Sequence, residues 1–374
     1  MLTTFFATQK PTFYLLALVT IGSCTQCLCQ PGTTLQPQAP TISEMVAKIN
    51  TQVDPNYVYP FEKTKYVPPK DKTLLIMGQT VEGIKEYNAA FPDTPKPGGW
   101  SAYWAVTEFV GVTDSHTNTT GSSQDHQMLV EQYPNAAIHS AMWMVGKWNV
   151  AKFTTDGAYD KVIKRYCRWL KKVDRPVYLR LGYEFDGPHN QLEPTEYIKA
   201  YKHIVDLMRS QGVNNVAFVW HSYASTPYKG YPLSRWYPGD DYVDWVGISL
   251  FGHCYSKTGT TNEAKAVLDF AKQRKKPVMI AEASPIYGIP EKDTSVWENW
   301  FVNFFSLTYN KNIKAICFIN EDWTRLRIEG LSQWKDARLT NNSQVAKAWF
   351  METDKARYLK ASPELFQQLG YSKK

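Results

Sequence analysis

Motifs that mark metal, phosphate or serine chemistry are missing from this 374-residue sequence. It has no HExxH and, beyond residue 29, no cysteine pairs at metal-binding spacing, so we expect no metal site. It has no GxSxG turn to frame a nucleophilic serine, and no GxGxxG or GxxxxGK[ST] loop to hold a phosphate. No nucleic-acid-binding motif occurs either. The sequence therefore predicts a protein without a cofactor and without a nucleic-acid partner.

Cysteine is scarce, with six residues, and three of them lie within the first 29 positions. Residues 1–29 carry one lysine ahead of an apolar run too short to span a bilayer, then small residues up to Cys29, which is typical of a secretory signal peptide. A retained membrane anchor is the alternative. Cleavage near Cys29 would leave Cys167, Cys254 and Cys317, an odd number that permits one disulfide at most.

The remaining chain divides into an arm and one large domain. Residues 30–70 are rich in Pro, Thr and Gln and are interpreted as a linker and wrapping arm. Residues 71–365 are predicted to form the folded domain, and no apolar segment near the C-terminus offers a second anchor. We expect a secreted, extracellular monomer without membrane association. Two sequons, at Asn118 and Asn341, fit a secreted glycoprotein.

Eight short apolar segments alternate with segments of helical periodicity. The predicted strands are 72–79, 99–109, 135–145, 176–185, 215–222, 243–251, 277–284 and 313–323. The predicted helices are 80–91, 125–133, 160–173, 195–212, 263–276, 296–310 and 343–359. Only the fifth connection, 223–242, is weakly helical. Alternating strands and helices imply parallel pairing, and eight units imply an α/β fold of the closed (β/α)8 TIM-barrel type. An open doubly wound sheet is the alternative.

Carboxylates stand where two of these strands end. Glu184 closes the fourth predicted strand and Glu282 the seventh, and the carboxyl ends of barrel strands are where active sites form. Two carboxylates facing each other are what glycoside hydrolysis requires. The alternative is that each merely pairs with a barrel arginine such as Arg180. Aromatic residues make up 14% of the chain, which suits stacking on sugar rings, although most are expected in the core.

The region from about residue 71 to 350 resembles glycoside hydrolase family 26, retaining endo-hydrolases best known as β-mannanases. The stretches that carry the resemblance are "RLGYE" (180–184), "YPGDDYVDWVG" (237–247), "PVMIAEAS" (277–284), "FVWHS" (218–222) and the region of Trp323. The resemblance implies that Glu184 is the acid/base and Glu282 the nucleophile of a double displacement.

The sequence also departs from the family pattern. Tyr183 stands where the family has histidine, and Phe251 stands about where a tyrosine usually hydrogen-bonds the nucleophile. Tyr255, His253 or Tyr183 would have to take over that hydrogen bond. The tryptophan-rich run of mannanases is replaced by "FDGPHNQL" (185–192), so mannan, β-1,3-xylan and an acidic glycan all stay open. The formal charge of +7 is a weak hint toward acidic glycans.

The sequence thus predicts a secreted retaining endo-glycosidase that cleaves a β-linked polysaccharide. A catalytically silent barrel that binds polysaccharide or serves in a matrix is the alternative. Trp220 and Trp323 are predicted to line the cleft and stack on sugar, with packing in the outer layer as the alternative. Arg180 is expected nearer Glu282 or the substrate than Glu184. His221 and His253 either orient the substrate or are structural. The predicted substrate-binding residues are Arg180, Tyr183, Trp220, His221, His253, Tyr255 and Trp323.

Overall fold

The computed structural model describes residues 39–61, 64–328, 331 and 334–372. Its centre is a barrel of eight parallel strands, each paired with the next along the chain, and the last pairs with the first. The strands are β1 (Thr73–Gly78), β2 (Gly99–Ala105), β3 (Ala137–Trp143), β4 (Val177–Leu181), β5 (Val216–Ser222), β6 (Trp245–Leu250), β7 (Val278–Ala283) and β8 (Ala315–Ile319). The predicted (β/α)8 barrel is confirmed, and the pairing of β8 with β1 rules out the open sheet.

Most strand residues are buried whichever way they point, because helices cover the outside of the barrel and side chains fill the inside. Each observed strand lies within a predicted one, and the predicted strands also include residues of the adjoining loops. A short strand, Tyr358–Leu359, adds to β1 outside the barrel.

The helices follow the predicted periodicity closely. They are α1 (Ile42–Ala47), α2 (Val81–Ala90), α3 (His126–Gln132), α4 (Val150–Thr155), α5 (Asp160–Val173), α6 (Pro194–Ser210), α7 (Asn262–Gln273), α8 (Val302–Asn310), α9 (Ser343–Thr353) and α10 (Leu365–Gln368). Side chains of Thr41, Thr80, Asp125, Thr261 and Asn342 cap five of them. The fifth connection holds two 3-10 turns, Tyr228–Gly230 and Leu233–Trp236. Helices α1, α4 and α10 were not predicted, and the helix predicted over 343–359 ends at Thr353, before the short strand Tyr358–Leu359.

Two parts of the predicted arm, around α1 and around Tyr66, pack against the barrel. Trp297 donates its indole N–H to the carbonyl of Met45 at 2.7 Å, which ties α1 to the barrel's outer layer. Tyr66 is buried at the amino-terminal end of the barrel, where it joins a cluster with Tyr178 and Phe366. Since Phe366 and the residues after it complete this floor, the predicted domain end at residue 365 is too early.

Interior side chains change character from the floor to the opposite face. Tyr178, Val219 and Met279 belong to an apolar layer near the floor. Two residues further along their strands lie Arg180 and His221, both fully buried. The barrel is therefore apolar at its amino-terminal end and polar at its carboxyl end.

Cys167, Cys254 and Cys317 are buried and free in this structure, with no disulfide among them. Among residues 39–372, apart from the six undescribed positions within that range, no helix is long and apolar enough to cross a membrane.

Candidate active site

Glu184 and Glu282 converge at the carboxyl end of the barrel with polar side chains from four further strands. Both side chains are largely buried, with 7% and 6% of the residue surface exposed. They interact electrostatically, since the negative charge of Glu184 contributes to a raised pKa of Glu282. The expectation that both lie at one end of one barrel is therefore met.

A bulge in β7 aims Glu282 into the barrel. Ile280 pairs with Ile248 of β6, but Ser249, the next residue of β6, pairs with Glu282, so β7 has one extra residue at Ala281. Ala281 lies in the interior layer, and regular alternation would turn the residue after it outward. An extra residue in one strand re-aims the side chains that follow it, which brings Glu282 beside Ser249.

Two donors hold one oxygen of Glu282. The Arg180 guanidinium forms an ion pair with Oε1, and the Tyr103 hydroxyl donates to the same oxygen at 2.5 Å. Arg180 thus lies on Glu282, as expected. The expectation that Tyr255, His253 or Tyr183 would supply this hydrogen bond is wrong, because β2 brings Tyr103 to that oxygen. The Tyr103 hydroxyl also lies 2.8 Å from Gln79 Oε1.

Opposing effects act on the pKa of Glu282. Burial raises its pKa, Arg180 and the Tyr103 hydrogen bond lower it, and the charge of Glu184 raises it. Burial lowers the pKa of Arg180, but the attraction of Tyr103 and Glu282 outweighs this and raises it. A guanidinium stays charged at neutral pH, and a buried guanidinium needs a counter-ion. The Arg180–Glu282 pair is therefore ionised. In the described part of the chain, no side chain hydrogen-bonds the second oxygen, Oε2 of Glu282.

Glu184 lies three residues beyond Leu181, the last residue of β4, on a backbone that favours glycine. Its φ is 51°, in the left-handed region, which costs about 1–2 kcal/mol for a residue with a side chain. Neighbouring groups hold this conformation: Gly187 N–H and the Asn190 amide both donate to the Glu184 carbonyl, at 2.8 and 3.0 Å. The backbone thereby turns the carboxylate back over the barrel mouth.

A chain of hydrogen bonds connects the two carboxylates through the barrel interior. Ser249 donates its hydroxyl proton to Glu184 Oε1 at 2.6 Å. His221 Nε2 lies 3.0 Å from the Ser249 oxygen, and His221 Nδ1 lies 3.4 Å from Arg180 Nη1. Because Ser249 donates to Glu184 and Arg180 can only donate, His221 carries its proton on Nε2 and accepts on Nδ1. Burial, with the charge of Arg180, lowers the pKa of His221 well below its usual value, so the ring is neutral.

The second oxygen of Glu184 meets a residue that the sequence analysis did not assign. His189 Nε2 lies 2.8 Å from Glu184 Oε2, and the histidine side chain is 47% exposed. His189 lies in the loop 185–192, which replaces the tryptophan-rich run of mannanases. That departure from the family pattern is the sequence signal that could have identified it.

Of the other predicted substrate-binding residues, one is structural and two are half-buried tyrosines. His253 is structural, because its Nδ1 accepts from the Phe251 N–H at 3.1 Å and its Nε2 lies 2.8 Å from the Ala224 carbonyl. Tyr183 is half-buried beside the site, with its ring 5.2 Å from that of Tyr103. Tyr255 is half-buried in the loop after β6.

The prediction that Trp220 lines the cleft is wrong. Its indole points to the outer layer, is fully buried, stacks on Phe185 at 4.4 Å and donates its N–H to the Trp236 carbonyl at 3.1 Å. In β5, Val219 and His221 point inward, so Trp220 between them must point outward.

Trp323 follows β8 at the carboxyl end of the barrel, but only 4% of it is exposed. It donates to the Ser284 hydroxyl at 3.0 Å and packs against Phe251 and Trp334. The prediction that it offers a free face to sugar is therefore wrong, since neighbouring aromatic rings cover it.

Exposed aromatic pairs stand elsewhere on the same face of the barrel. Trp143, the last residue of β3, lies 5.7 Å from Trp148, which is 58% exposed. Tyr255 lies 5.0 Å from Tyr287, which is 57% exposed in the loop after β7. Exposed rings after strand ends are suited to stack on sugars. The sequence analysis missed Trp143, Trp148 and Tyr287 because neither strand periodicity nor motif distinguishes them from core residues.

The two sequons differ in their surroundings. Asn118 is exposed in a turn, where its side-chain oxygen accepts hydrogen bonds from Thr120 and Ser122. Asn341 is half-buried, and its side-chain nitrogen donates to the Asp336 carbonyl at 3.3 Å. Residues 1–29, the predicted signal peptide, lie outside the described residues. No cluster of three or more His, Cys, Asp or Glu able to hold a metal occurs among the described residues.

Comparison with protein families matches residues 154–328 to the family described as glycosyl hydrolase family 26. A β-1,3-xylanase of a Vibrio species is 30% identical, in a match that spans 81% of this chain and 69% of the relative. A β-1,3-xylanase of an Alcaligenes species is 28% identical over 81% of this chain and 68% of its own length.

Solved structures resemble the fold at lower sequence identity. The family 26 β-mannanase BoMan26A of Bacteroides ovatus superposes with a TM-score of 0.54 at 16% identity, over 79% of this chain and 93% of the mannanase. A family 26 protein of a Muricauda species, GH26C, has the same TM-score and identity over 88% of this chain and 99% of its own. At this identity the likeness concerns the fold alone.

Proposed function

Because the chain belongs to glycosyl hydrolase family 26, we propose that it is a secreted, retaining endo-β-1,3-xylanase with Glu184 as acid/base and Glu282 as nucleophile. Membership of the family makes it a glycoside hydrolase that acts on a polysaccharide. The observation that carries the finer proposal is the pair of carboxylates on β4 and β7. One is held as a fixed anion by Arg180, and the other is bonded by a hydroxyl and a histidine.

In the first step, Oε2 of Glu282 attacks the anomeric carbon. It is the oxygen left free, since Arg180 and Tyr103 both hold Oε1. The bond between that carbon and the glycosidic oxygen breaks, and Glu184 passes its proton to the departing oxygen. The products are a glycosyl ester on Glu282 and an ionised Glu184.

In the second step, Glu184 accepts a proton from water while the water oxygen attacks the anomeric carbon. The ester bond to Glu282 breaks, the configuration at the anomeric carbon is retained, and both carboxylates return to their starting states. As Glu282 loses and regains its charge, Arg180 and Tyr103 stay in place, so the site needs little rearrangement.

The proposed substrate rests on sequence similarity to two β-1,3-xylanases across four-fifths of the chain. The mannanase structures share the fold at 16% identity or less, which supports no substrate. Two exposed aromatic pairs, Trp143–Trp148 and Tyr255–Tyr287, provide rings that would stack on successive sugars of a long chain. Stacking surfaces for successive sugars suit endo cleavage of a long chain.

The catalytically silent barrel is disfavoured by the network of side chains that connects the two carboxylates. A binding-only protein has no need of two buried acids joined through a guanidinium, an imidazole and a hydroxyl, because each buried charge is costly unless it is used or paired. The proposed secretion rests on residues 1–29 of the sequence and on the exposed sequon at Asn118.

The test is an assay of purified protein on β-1,3-xylan, β-1,4-xylan, β-1,4-mannan and an acidic algal glycan. We expect soluble oligosaccharides from β-1,3-xylan, and NMR of early products should show the β-anomer first. Activity on mannan alone would overturn the substrate, an initial α-anomer would overturn retention, and no activity on any substrate would favour the silent barrel. N-terminal sequencing of protein expressed from the full gene should place the mature end near Gln30.

A further inference from the structure

His189 lies on the solvent side of the acid/base. It stands in the loop 185–192 after β4, with Nε2 2.8 Å from Glu184 Oε2 and its ring 5.1 Å from that of Tyr223. Nearly half of the side chain is exposed, so the ring can exchange protons with water.

We propose that His189 is a positioning residue that holds Glu184 Oε2 in the free enzyme and shares its catalytic proton. The proposal rests on the proposed function, because it needs Glu184 to act as the acid/base. The proton donor of the enzyme is then a carboxyl–imidazole pair rather than a lone carboxylic acid.

The two oxygens of Glu184 are not equivalent. Oε1 already accepts the Ser249 hydroxyl proton, and Ser249 is fixed in turn by the buried His221. A second proton on Oε1 would crowd the Ser249 hydrogen, so the mobile proton of Glu184 resides on Oε2. The group that faces Oε2 in the free enzyme is His189 Nε2. A single proton between these two atoms satisfies both of them.

The charges around His189 favour its protonated form. Burial lowers its pKa, but the hydrogen bond to Glu184 and the negative charges of Glu184, Glu282 and Asp186 outweigh burial and raise the pKa above its usual value. The other titratable groups near the ring are His221 of β5, which is neutral, and the Tyr223 phenol, whose pKa burial raises. The His189 imidazole therefore stays protonated to a higher pH than an ordinary histidine, and its proton is available to Glu184.

The sign of the pH effect follows from this sharing. The last proton of the pair can occupy either the imidazole or the carboxylate. The pair therefore releases it at a higher pH than a site that offers the proton only one position. The alkaline limb of kcat/KM therefore belongs to the pair. When His189 is replaced by a side chain that cannot be protonated, the shared proton loses one of its two sites, and we expect the limb to lie at lower pH.

The test compares His189→Gln with the matched control His203→Gln. His203 also pairs with a carboxylate, Asp160 at 2.7 Å, but on helices α5 and α6 outside the site. On β-1,3-xylan we expect the alkaline limb of His189→Gln to move down by about one pH unit or more, and that of His203→Gln to stay in place. On a dinitrophenyl glycoside, whose leaving group needs no proton, the limb should be absent in all three proteins. An alkaline limb that His189→Gln leaves unmoved would overturn the proposal.

A second measurement does not require the His189 variant to fold. Histidine NMR titration of the wild type and of Glu184→Gln should show the pKa of His189 falling by about one unit or more once the carboxylate is an amide. Equal values in the two proteins would also overturn the proposal. A different result would contradict the proposed function. If a Glu184→Ala variant gives no glycosyl azide, Glu184 is not the acid/base, whatever the role of His189.

Discussion

The ends of β7 and β4 deliver their carboxylates in opposite ways. Glu282 lies within a strand, opposite Ser249 in the β6 ladder, and meets a guanidinium that cannot change its charge. Glu184 lies beyond the end of its strand, on a left-handed backbone, and meets a hydroxyl and a half-exposed imidazole. The partner of the first carboxylate keeps a fixed charge, whereas those of the second can rotate or titrate.

This difference matches the two chemical tasks. A nucleophile must stay ionised and stay in place, which a buried Arg180 and a strand backbone secure. An acid/base must gain and lose a proton in each turnover, and partners that can rotate or titrate accommodate both states. Substitutions at the two carboxylates should therefore have different effects on catalysis.

The largest loss is expected from Glu282→Gln. An amide cannot form the glycosyl ester, so kcat should fall on the order of 10⁴-fold or more while the fold is retained. The control is Glu321→Gln, at the end of β8, where burial raises the pKa of the carboxyl to about 7 and an amide can still accept from Thr80. It should keep most of the activity. Substantial turnover by Glu282→Gln would remove Glu282 from the nucleophile role.

Glu184→Ala should damage the natural polysaccharide about 10²- to 10⁴-fold, because the leaving oxygen loses its proton donor. An activated aryl glycoside should suffer far less in the first step, and added azide should restore turnover and give a glycosyl azide of retained configuration. Equal damage to both substrates, measured under the same conditions, would make Glu184 a structural carboxylate.

Tyr103→Phe should lower kcat/KM about 10- to 100-fold, since it removes a hydrogen bond to a charged group. That hydrogen bond lowers the pKa of Glu282, so its loss raises the pKa and moves the acid limb of the pH profile to higher pH. Tyr183→Phe is the matched control, and its acid limb should not move. A shift in Tyr183→Phe instead would restore the role that the sequence analysis gave Tyr183.

The smallest catalytic effect is expected from Trp148→Ala. Loss of one exposed stacking ring should raise KM for the polysaccharide about three- to tenfold and leave the melting temperature unchanged. Trp220→Ala should do the reverse, because a fully buried indole contributes about 3–5 kcal/mol to stability. A change in KM without destabilisation in Trp220→Ala would contradict its outer-layer position.

Local pattern was enough to predict the barrel. Eight apolar segments alternate with segments of helical periodicity, and parallel pairing covered by those helices buries both faces of every strand. All eight strands form where predicted. Strand-end position also sufficed to bring Glu184, Glu282 and Arg180 together. In both cases the information lies within a few consecutive residues.

Trp220 and Tyr103 show where local pattern fails. Within an apolar strand that is buried on both faces, the sequence does not say which alternate residues point inward, so Trp220 could be assigned to the cleft although it packs outside. Tyr103 reaches Glu282 from a strand 179 residues earlier in the chain. Neither position departs from what a core residue would look like.

The sequence by itself determined the fold and the two carboxylates, because periodicity and strand ends are properties of neighbouring residues. Only the tertiary structure decided what surrounds those carboxylates. One extra residue in β7 aims Glu282, a left-handed backbone aims Glu184, and a loop folds His189 back onto the acid. The partners of a buried charge are set by the closure of the barrel, which brings together residues that are far apart in the chain.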